Sequence, residues 1–168
     1  MIYGLTGHTH GFGPYIAERL IADGHTVIGI SRSTGFDLTN DADLNRAVES
    51  LSPCDVIINN CSAGHRQSLL LKQLRSAYLT SDKTIVNVGS WITRVKTQML
   101  HDVDVDHYID KSMLQRLSNN IGSNNNALKS VYLTWGFHPG NPILDRYPEL
   151  QDTTTVDQAV DQLIARQQ

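Results

Sequence analysis

The sequence lacks the features that direct a chain to a membrane or to nucleic acid. No apolar run approaches the length of a membrane span. No basic block is present, and 14 Lys and Arg against 17 Asp and Glu give a formal net charge of −3. Because a mildly acidic chain without a basic patch offers no electrostatic footprint for a phosphate backbone, we expect no nucleic-acid partner.

Cysteine is also scarce. The two cysteines, Cys54 and Cys61, match no zinc-ligand spacing, and reduced thiols are typical of the cytoplasm. A first strand that starts at Met1 leaves no room for a signal peptide, so a cytoplasmic location is expected. His8 and His10 form an H-x-H pair without an evident third ligand, and we predict no metal site. A length of 168 residues predicts one domain, 1–168.

Apolar, strand-like runs alternate with helical patterns along the chain. The predicted strands are Met1–Leu5, Thr26–Ile30, Val56–Asn59, Thr84–Val88 and Lys129–Thr134. The predicted helices are Pro14–Asp23, Asp41–Leu51, Arg66–Leu79, Asp104–Asn120 and Val156–Arg166, with Asn40 and Thr155 as N-caps. Short β-branched strands are typical of a sheet covered by helices on both faces. The pattern therefore predicts an α/β fold, a doubly wound parallel sheet that binds ligands at the carboxyl ends of its strands.

The most informative segment is Thr6–Gly13, which links the first strand to the first helix. Glycines there permit a tight turn, close approach of backbone to a pyrophosphate, and close packing of the helix. The helix N-terminus adds unpaired N–H groups and a partial positive charge. We therefore expect a nucleotide diphosphate to contact this loop, at Gly7, His8, Thr9, His10, Gly11, Phe12 and Gly13.

The order T-G-x-x-x-G-x-G resembles the cofactor loop of the short-chain dehydrogenase/reductase family. Phe36–Thr39 is similar to the family's D-V/L-T segment, and Ile58–Gly64 is similar to its N-N-A-G segment. The resemblance implies that Asp37 contacts the adenine and that the second segment shapes the pocket beside the adenine ribose. It adds to the cofactor site Asp37, Leu38, Asn60, Cys61 and Ser62. The first half also resembles dTDP-4-dehydrorhamnose reductase-type proteins, which share the short link before the D-V/L-T segment.

The end of the second predicted strand bears on the choice between NADP and NAD. An NAD site usually presents an acidic residue here. This chain has Arg32 between Ser31 and Ser33, and a guanidinium suits a 2′-phosphate. His10 could add a contact, since the family's loop often carries a basic residue there. We expect NADP, with NAD as the alternative and a solvated Arg32 as the competing interpretation.

Thr84–Ser90 resembles the family's strand that ends in a catalytic serine. The resemblance implies that Ser90 hydrogen-bonds the oxygen of the substrate, and a simple turn cap is the alternative. The last strand is expected to end beside the nicotinamide, where Gly136 or the pair Pro139-Gly140 is similar to the family's Pro-Gly.

Asp106–Leu114 resembles the helix that carries the family's Y-x-x-x-K motif. In that motif the Tyr gives the proton and the Lys lowers the pKa of the Tyr and holds the nicotinamide ribose. Here Lys111 has His107 four residues before it and Tyr108 three before it, and both spacings share a helix face with it. Three interpretations stay open: His107 is the acid/base, Tyr108 takes the role, or the chemistry is lost and the cofactor retained.

The resemblance implies an NADP(H)-dependent oxidoreductase that moves a hydride between the nicotinamide and a small carbonyl or alcohol. A cofactor-binding sensor or scaffold without turnover is the alternative. Two predicted helices carry apolar residues beyond the core pattern, and the family pairs these helices across a dimer. We therefore expect a homodimer whose interface includes Leu69, Leu70, Leu74 and Leu117. The alternative is that these leucines face the core.

Overall fold

One sheet of five parallel strands organises the computed structural model, which describes residues 1–123, 127–134, 143–147 and 155–165. The strands are β1 (Ile2–Thr6), β2 (Thr26–Ile30), β3 (Val56–Asn59), β4 (Thr84–Val88) and β5 (Lys129–Leu133). Their order is β2-β1-β3-β4-β5. The chain leaves β1 for one edge and then returns past it to β3, so the strand order reverses between β1 and β3. A doubly wound sheet binds its ligands at such a switch point.

Six α-helices are described: α1 (Gly13–Ala22), α2 (Asp41–Ser50), α3 (Arg66–Tyr78), α4 (Val105–Ser123), α5 (Ile143–Arg146) and α6 (Val156–Ala165). Asn40 caps α2 by accepting hydrogen bonds from the N–H groups of Ala42 and Asp43. Thr155 and Gln158 form reciprocal capping bonds at α6. The predicted elements are confirmed with small shifts at their ends, and among the described α-helices the one-turn helix α5 has no counterpart in the apolar pattern. No helix within the described ranges is long and apolar enough to cross a membrane.

The sheet separates two hydrophobic cores. On one face, Ile57 and Ile85 pack with leucines of α2, α3 and α4. On the other face, Ile58 and Val86 pack with α1 and α6. Successive strand residues thus point to opposite cores, as expected for strands buried on both sides. The arrangement confirms the predicted doubly wound α/β fold.

The leucines assigned to a dimer interface are directed inward. Leu70 and Leu74 of α3 are fully buried in the core against the sheet. Leu69 and Leu117 are partly buried and pack on the same core. The expectation that these four are spare is therefore wrong, because they complete the inner faces of α3 and α4.

Candidate active site

A cleft of about 640 Å³ opens at the carboxyl ends of the strands. This volume falls in the range of small-molecule sites, roughly 300–1,000 Å³. The segments after four strands and helix α4 line it with Gly7, Thr9, His10, Gly11, Phe12, Ile30, Ser31, Arg32, Ser33, Phe36, Asp37, Leu38, Thr39, Asn60, Cys61, Ser62, Ala63, Val88, Gly89, Ser90, His107 and Lys111. The cleft therefore brings together most of the site residues that the sequence predicted.

The glycine loop after β1 depends on backbone conformations that other residues rarely adopt. Gly7 and Gly11 have φ angles of 69° and 61°, in the left-handed region. A Cβ on Gly13 would collide with the backbone oxygen of Gly7, so this glycine lets α1 begin directly behind the turn. The N-terminal end of α1 begins beside the cleft-lining Gly11 and Phe12. The positive end of the helix dipole therefore favours an anionic ligand at this part of the cleft wall.

His8 departs from the expectation for this loop. Its ring packs over the backbone of Gly29 in β2, where a Cβ would overlap the ring. The ring Nδ1 is buried and has no hydrogen-bond partner among the described residues. Thr9 and His10 do line the cleft, joined by a 2.9 Å hydrogen bond between Thr9 Oγ1 and His10 Nδ1. The turn directs the His8 side chain toward β2, and His8 is not among the residues that line the cleft, so its contact with a cofactor stays a prediction.

Thr6 joins the two loops at the switch point, a role that the sequence analysis missed. Its Oγ1 accepts hydrogen bonds from the N–H groups of Asn60 and Cys61, both at 3.0 Å. Asn60 Nδ2 in turn donates to the backbone oxygen of Thr6 at 3.2 Å. The loops after β1 and β3 are therefore fixed relative to each other, and Cys61 and Ser62 are held at the cleft wall beside Gly7.

The segment after β2 forms a 3-10 turn, Arg32–Thr34, that presents hydroxyl groups and a guanidinium to the cleft. Ser31 Oγ and Ser33 Oγ lie 2.9 Å apart, within hydrogen-bond distance. Arg32 is exposed and forms no ion pair with any described residue. An unpaired guanidinium beside two hydroxyls can bind a phosphate dianion without first breaking an internal salt bridge.

The segment with Asp37 and Leu38 is held by side chains of α2 and α3 rather than by a helix of its own. Arg66 donates from Nε to the Leu38 oxygen at 2.7 Å and pairs through Nη2 with Asp41, also at 2.7 Å. Asp43 accepts a hydrogen bond from the Asp37 N–H at 2.9 Å. Hydrogen bonds from Thr39 lower the pKa of Asp37, so its carboxylate stays ionised at the cleft.

Ser90 lies at the end of β4, at the other end of the cleft. It is buried, and its Oγ accepts a 3.3 Å hydrogen bond from the N–H of Ile92 as the N-cap of a 3-10 turn. The two interpretations of this serine are therefore compatible. The Oγ caps the turn as an acceptor and keeps its own hydrogen for a second partner.

The geometry of α4 distinguishes His107 from Tyr108. His107 lines the cleft one helical turn before Lys111. Tyr108 packs instead against a separate small core of Ile92, Val95 and Tyr147. Burial and then the charge of Lys111 lower the pKa of His107, which favours the neutral imidazole. Of the two candidates for a proton-transfer group, only His107 borders the cleft, and an acid/base role for Tyr108 does not fit this packing.

Lys111 is a buried cation with its own hydrogen-bond partners. It is 5% exposed, and its Nζ donates to Gln67 Oε1 at 2.7 Å and to the Val88 oxygen at 3.1 Å. Burial lowers its pKa to about 8. An ammonium with a pKa near neutrality can change its charge within the physiological pH range.

A buried polar network continues from Lys111 beneath the cleft, and the sequence analysis did not identify it. Gln67 Nε2 donates to the Asn59 oxygen at 2.6 Å, and Asn59 Nδ2 donates to Asn87 Oδ1 at 3.0 Å. Asn87 Nδ2 donates onward to Ser118 and Ser130. The sequence did contain a signal for this network, an asparagine in each of two mostly apolar strands. A buried amide requires hydrogen-bond partners, so these asparagines indicate polar neighbours.

The predicted contacts at the end of the last strand cannot be compared with the structure. Gly136 and the pair Pro139-Gly140 fall outside the described residues. Within the described ranges, no group of three or more His, Cys, Asp or Glu side chains is placed to hold a metal ion.

Comparison with known proteins identifies the fold. No family model matches the chain, and no curated protein sequence matches it. Among solved structures, it is similar to a 3-ketoacyl-(acyl-carrier-protein) reductase from Brucella melitensis complexed with NADH, with 17% identity over 97% of this chain and 88% of that one and a TM-score of 0.74.

Two further structures agree. A short-chain dehydrogenase from Burkholderia cenocepacia in complex with NADP has 18% identity over 95% of this chain and 80% of that one, with a TM-score of 0.75. A 3-alpha-hydroxysteroid dehydrogenase from a Pseudomonas species complexed with NADH has 19% identity over 98% and 87%, with a TM-score of 0.71. The chain therefore has the Rossmann-like fold of the short-chain dehydrogenases/reductases.

Proposed function

We propose that the chain is an NADP(H)-dependent oxidoreductase of the short-chain dehydrogenase/reductase family that acts on a small carbonyl or alcohol. The observation that carries the proposal is the meeting of Ser90, His107 and Lys111 in the same cleft as the glycine loop. The similar structures that were solved as complexes with NADH or NADP support a nicotinamide cofactor.

The residues of the cleft fit this cofactor. The loop at Gly7, Gly11 and Gly13 and the start of α1 would hold the diphosphate. The segment after β2 would hold the adenosine, with Asp37 at the adenine and Lys111 at the nicotinamide ribose. A bound nicotinamide supplies or accepts a hydride.

Arg32, Ser31 and Ser33 favour NADP over NAD. An exposed guanidinium without an internal ion pair, next to two hydroxyls, matches a 2′-phosphate. His10 lines the same cleft and adds a further donor. A site for NAD usually has an acidic side chain at the end of β2, which binds the ribose hydroxyl groups. In this chain β2 is followed by Ser31-Arg32-Ser33 instead.

In the proposed chemistry, Ser90 orients the oxygen of the substrate and His107 transfers its proton. The lowered pKa of His107 keeps the imidazole neutral at neutral pH, so Nδ1 or Nε2 can accept a proton from an alcohol. In the reverse direction, a protonated His107 returns that proton to the oxygen. Lys111, which lines the same cleft, supplies a positive charge near His107.

A cofactor-binding sensor without turnover is the second candidate. Two observations favour it: the residue four before Lys111 is His107 rather than a tyrosine, and the neighbouring Tyr108 packs away from the cleft. A panel of small carbonyl compounds, with NADPH oxidation followed by absorbance, separates the two functions. Turnover of at least one compound that is abolished in His107→Gln supports the oxidoreductase, and saturable NADPH binding without any oxidation supports the sensor.

We also propose that the chain forms a homodimer, through a different surface from the one that the leucines suggested. Val105, Ile109 and Met113 form an exposed apolar stripe at four-residue spacing on α4. Two copies of α4 packed antiparallel would place Ile109 against Met113 and the acidic Asp106 near the basic Arg116 of the other copy.

The assembly is tested by measuring the molar mass in solution. Ile109→Lys is expected to convert a dimer to a monomer, because it buries an unpaired charge in the apolar stripe. Ile21→Lys, at an exposed isoleucine of α1, is the matched control and should stay dimeric. A wild-type protein that is monomeric at all concentrations contradicts this part of the proposal.

A further inference from the structure

The Lys111 ammonium uses two of its three N–H groups inside the protein. One is donated to Gln67 Oε1 and one to the Val88 oxygen. Lys111 also lines the cleft, so its remaining N–H is the one available to a ligand. The direction of that third N–H follows from the positions of the two internal acceptors, because the three donors of an ammonium are tetrahedrally arranged.

The Gln67 side chain is fixed in turn by its own partners. Its Nε2 donates to the Asn59 oxygen at 2.6 Å and to the Val88 oxygen at 3.1 Å. Asn59 Nδ2 donates to the backbone oxygen of Gln67. Gln67 is 2% exposed, and its amide nitrogen is committed to two carbonyls, so its oxygen must face Lys111.

We propose that Gln67 is the positioning residue that directs Lys111 toward the cofactor ribose and keeps its amine charged. This inference rests on the proposed function, since it assigns the direction of Lys111 within that cofactor site. Met or Leu at position 67 would leave the ammonium with a single internal acceptor. The Asn59 and Val88 oxygens would at the same time lose a donor.

The charge of Lys111 reflects several surrounding groups. Burial lowers its pKa to about 8, while Cys61 from the loop after β3 and Asp110 on α4 act in the opposite direction. His107, one turn earlier on α4, has its pKa lowered in part by Lys111. Gln67 is the neutral partner in direct contact with the ammonium, so Gln67→Met alters the stability of the charged form without adding another titrating group.

The test measures Lys111 directly in the protein without cofactor. Isotope-labelled lysine gives an NMR signal that Lys111→Met identifies by its loss, and a pH titration gives its midpoint. Gln67→Glu is expected to raise that midpoint by about 1 to 3 pH units, as an opposite charge in contact does. Gln67→Met is expected to lower it and to weaken NADPH binding about tenfold or more, since hydrogen bonds to charged groups are the strong ones. Gln98→Met, at an exposed glutamine, is the control that should change neither value.

The outcomes separate this inference from the proposed function. Suppose that the wild type binds NADPH, and that Gln67→Met and Gln67→Glu keep the same Lys111 midpoint and the same NADPH affinity as Gln98→Met. This result would overturn the role of Gln67 and leave the proposed function standing. A wild type that binds no nicotinamide cofactor would overturn the proposed function, and with it the direction assigned to Lys111. If Gln67→Met fails to fold, the midpoint in Gln67→Glu decides: an unchanged value overturns the inference and a raised value supports it.

Discussion

The two ends of the cleft are built by different means. At the end proposed to bind the adenosine, called the adenosine end, the cleft-lining groups come from short continuous segments, the glycine loop and the turn after β2, and Arg32 is exposed. At the end proposed for the chemistry, called the catalytic end, Lys111 is buried and held by Gln67, a residue 44 positions earlier in the chain. The first end depends on backbone conformation and the second on side chains from separate elements. The difference explains why one end resembles a known pattern closely and the other departs from it.

The largest expected effect separates His107 from Tyr108 at the catalytic end. His107→Gln should lower the rate of hydride transfer by about 10²–10⁴-fold, because it removes the proton-transfer group. Tyr108→Phe should leave the rate close to that of the wild type, because Tyr108 packs on Ile92 and Val95 outside the cleft. Single-turnover kinetics on both variants makes the comparison. A rate lost in Tyr108→Phe and retained in His107→Gln would show that the tyrosine is the functional group.

The glycine loop should be the most sensitive point of the adenosine end. Gly13→Ala introduces a Cβ against the backbone oxygen of Gly7, which cannot move without displacing the loop. Overpacking of this kind costs about 1–3 kcal/mol. We expect this cost to fall on the loop conformation that binds the diphosphate, and to lower NADPH affinity about 5- to 150-fold. Gly24→Ala, at a distant turn where the glycine φ is 82°, is a control for destabilisation outside the loop: it should lower overall stability and leave NADPH affinity unchanged. Calorimetric titration that finds equal NADPH affinity in both variants would contradict the assigned role of the loop.

Arg32→Ala should discriminate between the cofactors rather than weaken both. Loss of a charge-assisted pair with a 2′-phosphate should reduce NADPH affinity about tenfold or more and leave NADH affinity nearly unchanged. Arg94→Ala, at another exposed arginine, provides a control away from the cleft lining. If Arg32→Ala still prefers NADPH, the 2′-phosphate is bound elsewhere.

The pH dependence should reflect the catalytic end and give the smallest change near neutrality. In the proposed mechanism, alcohol oxidation requires a neutral His107, whose pKa is lowered below its usual value of 6.5 by burial. The rate should therefore be constant near neutrality and fall about tenfold per pH unit only below that lowered pKa. A second decrease is expected above about pH 8, where Lys111 loses its charge. A rate profile that is flat through both regions would contradict both assignments.

The sequence predicted the fold well because its signals are local. Apolar runs and helical periodicity specify the strands and helices, and the glycine spacing specifies the turn before α1. It could not decide between His107 and Tyr108, since residues three and four before Lys111 both share its helix face. That choice depends on where Ile92, Val95 and Tyr147 lie in space. The direction of His8 and the contact of Gln67 with Lys111 likewise depend on tertiary packing.

The central claim is that both ends of the cleft serve one NADP(H) molecule. An equilibrium titration of the wild-type protein with NADPH and with NADH tests it most directly. We predict saturable binding of NADPH, about tenfold or more tighter than that of NADH, consistent with one charge-assisted contact. Failure of both cofactors to bind to the folded protein would contradict the account.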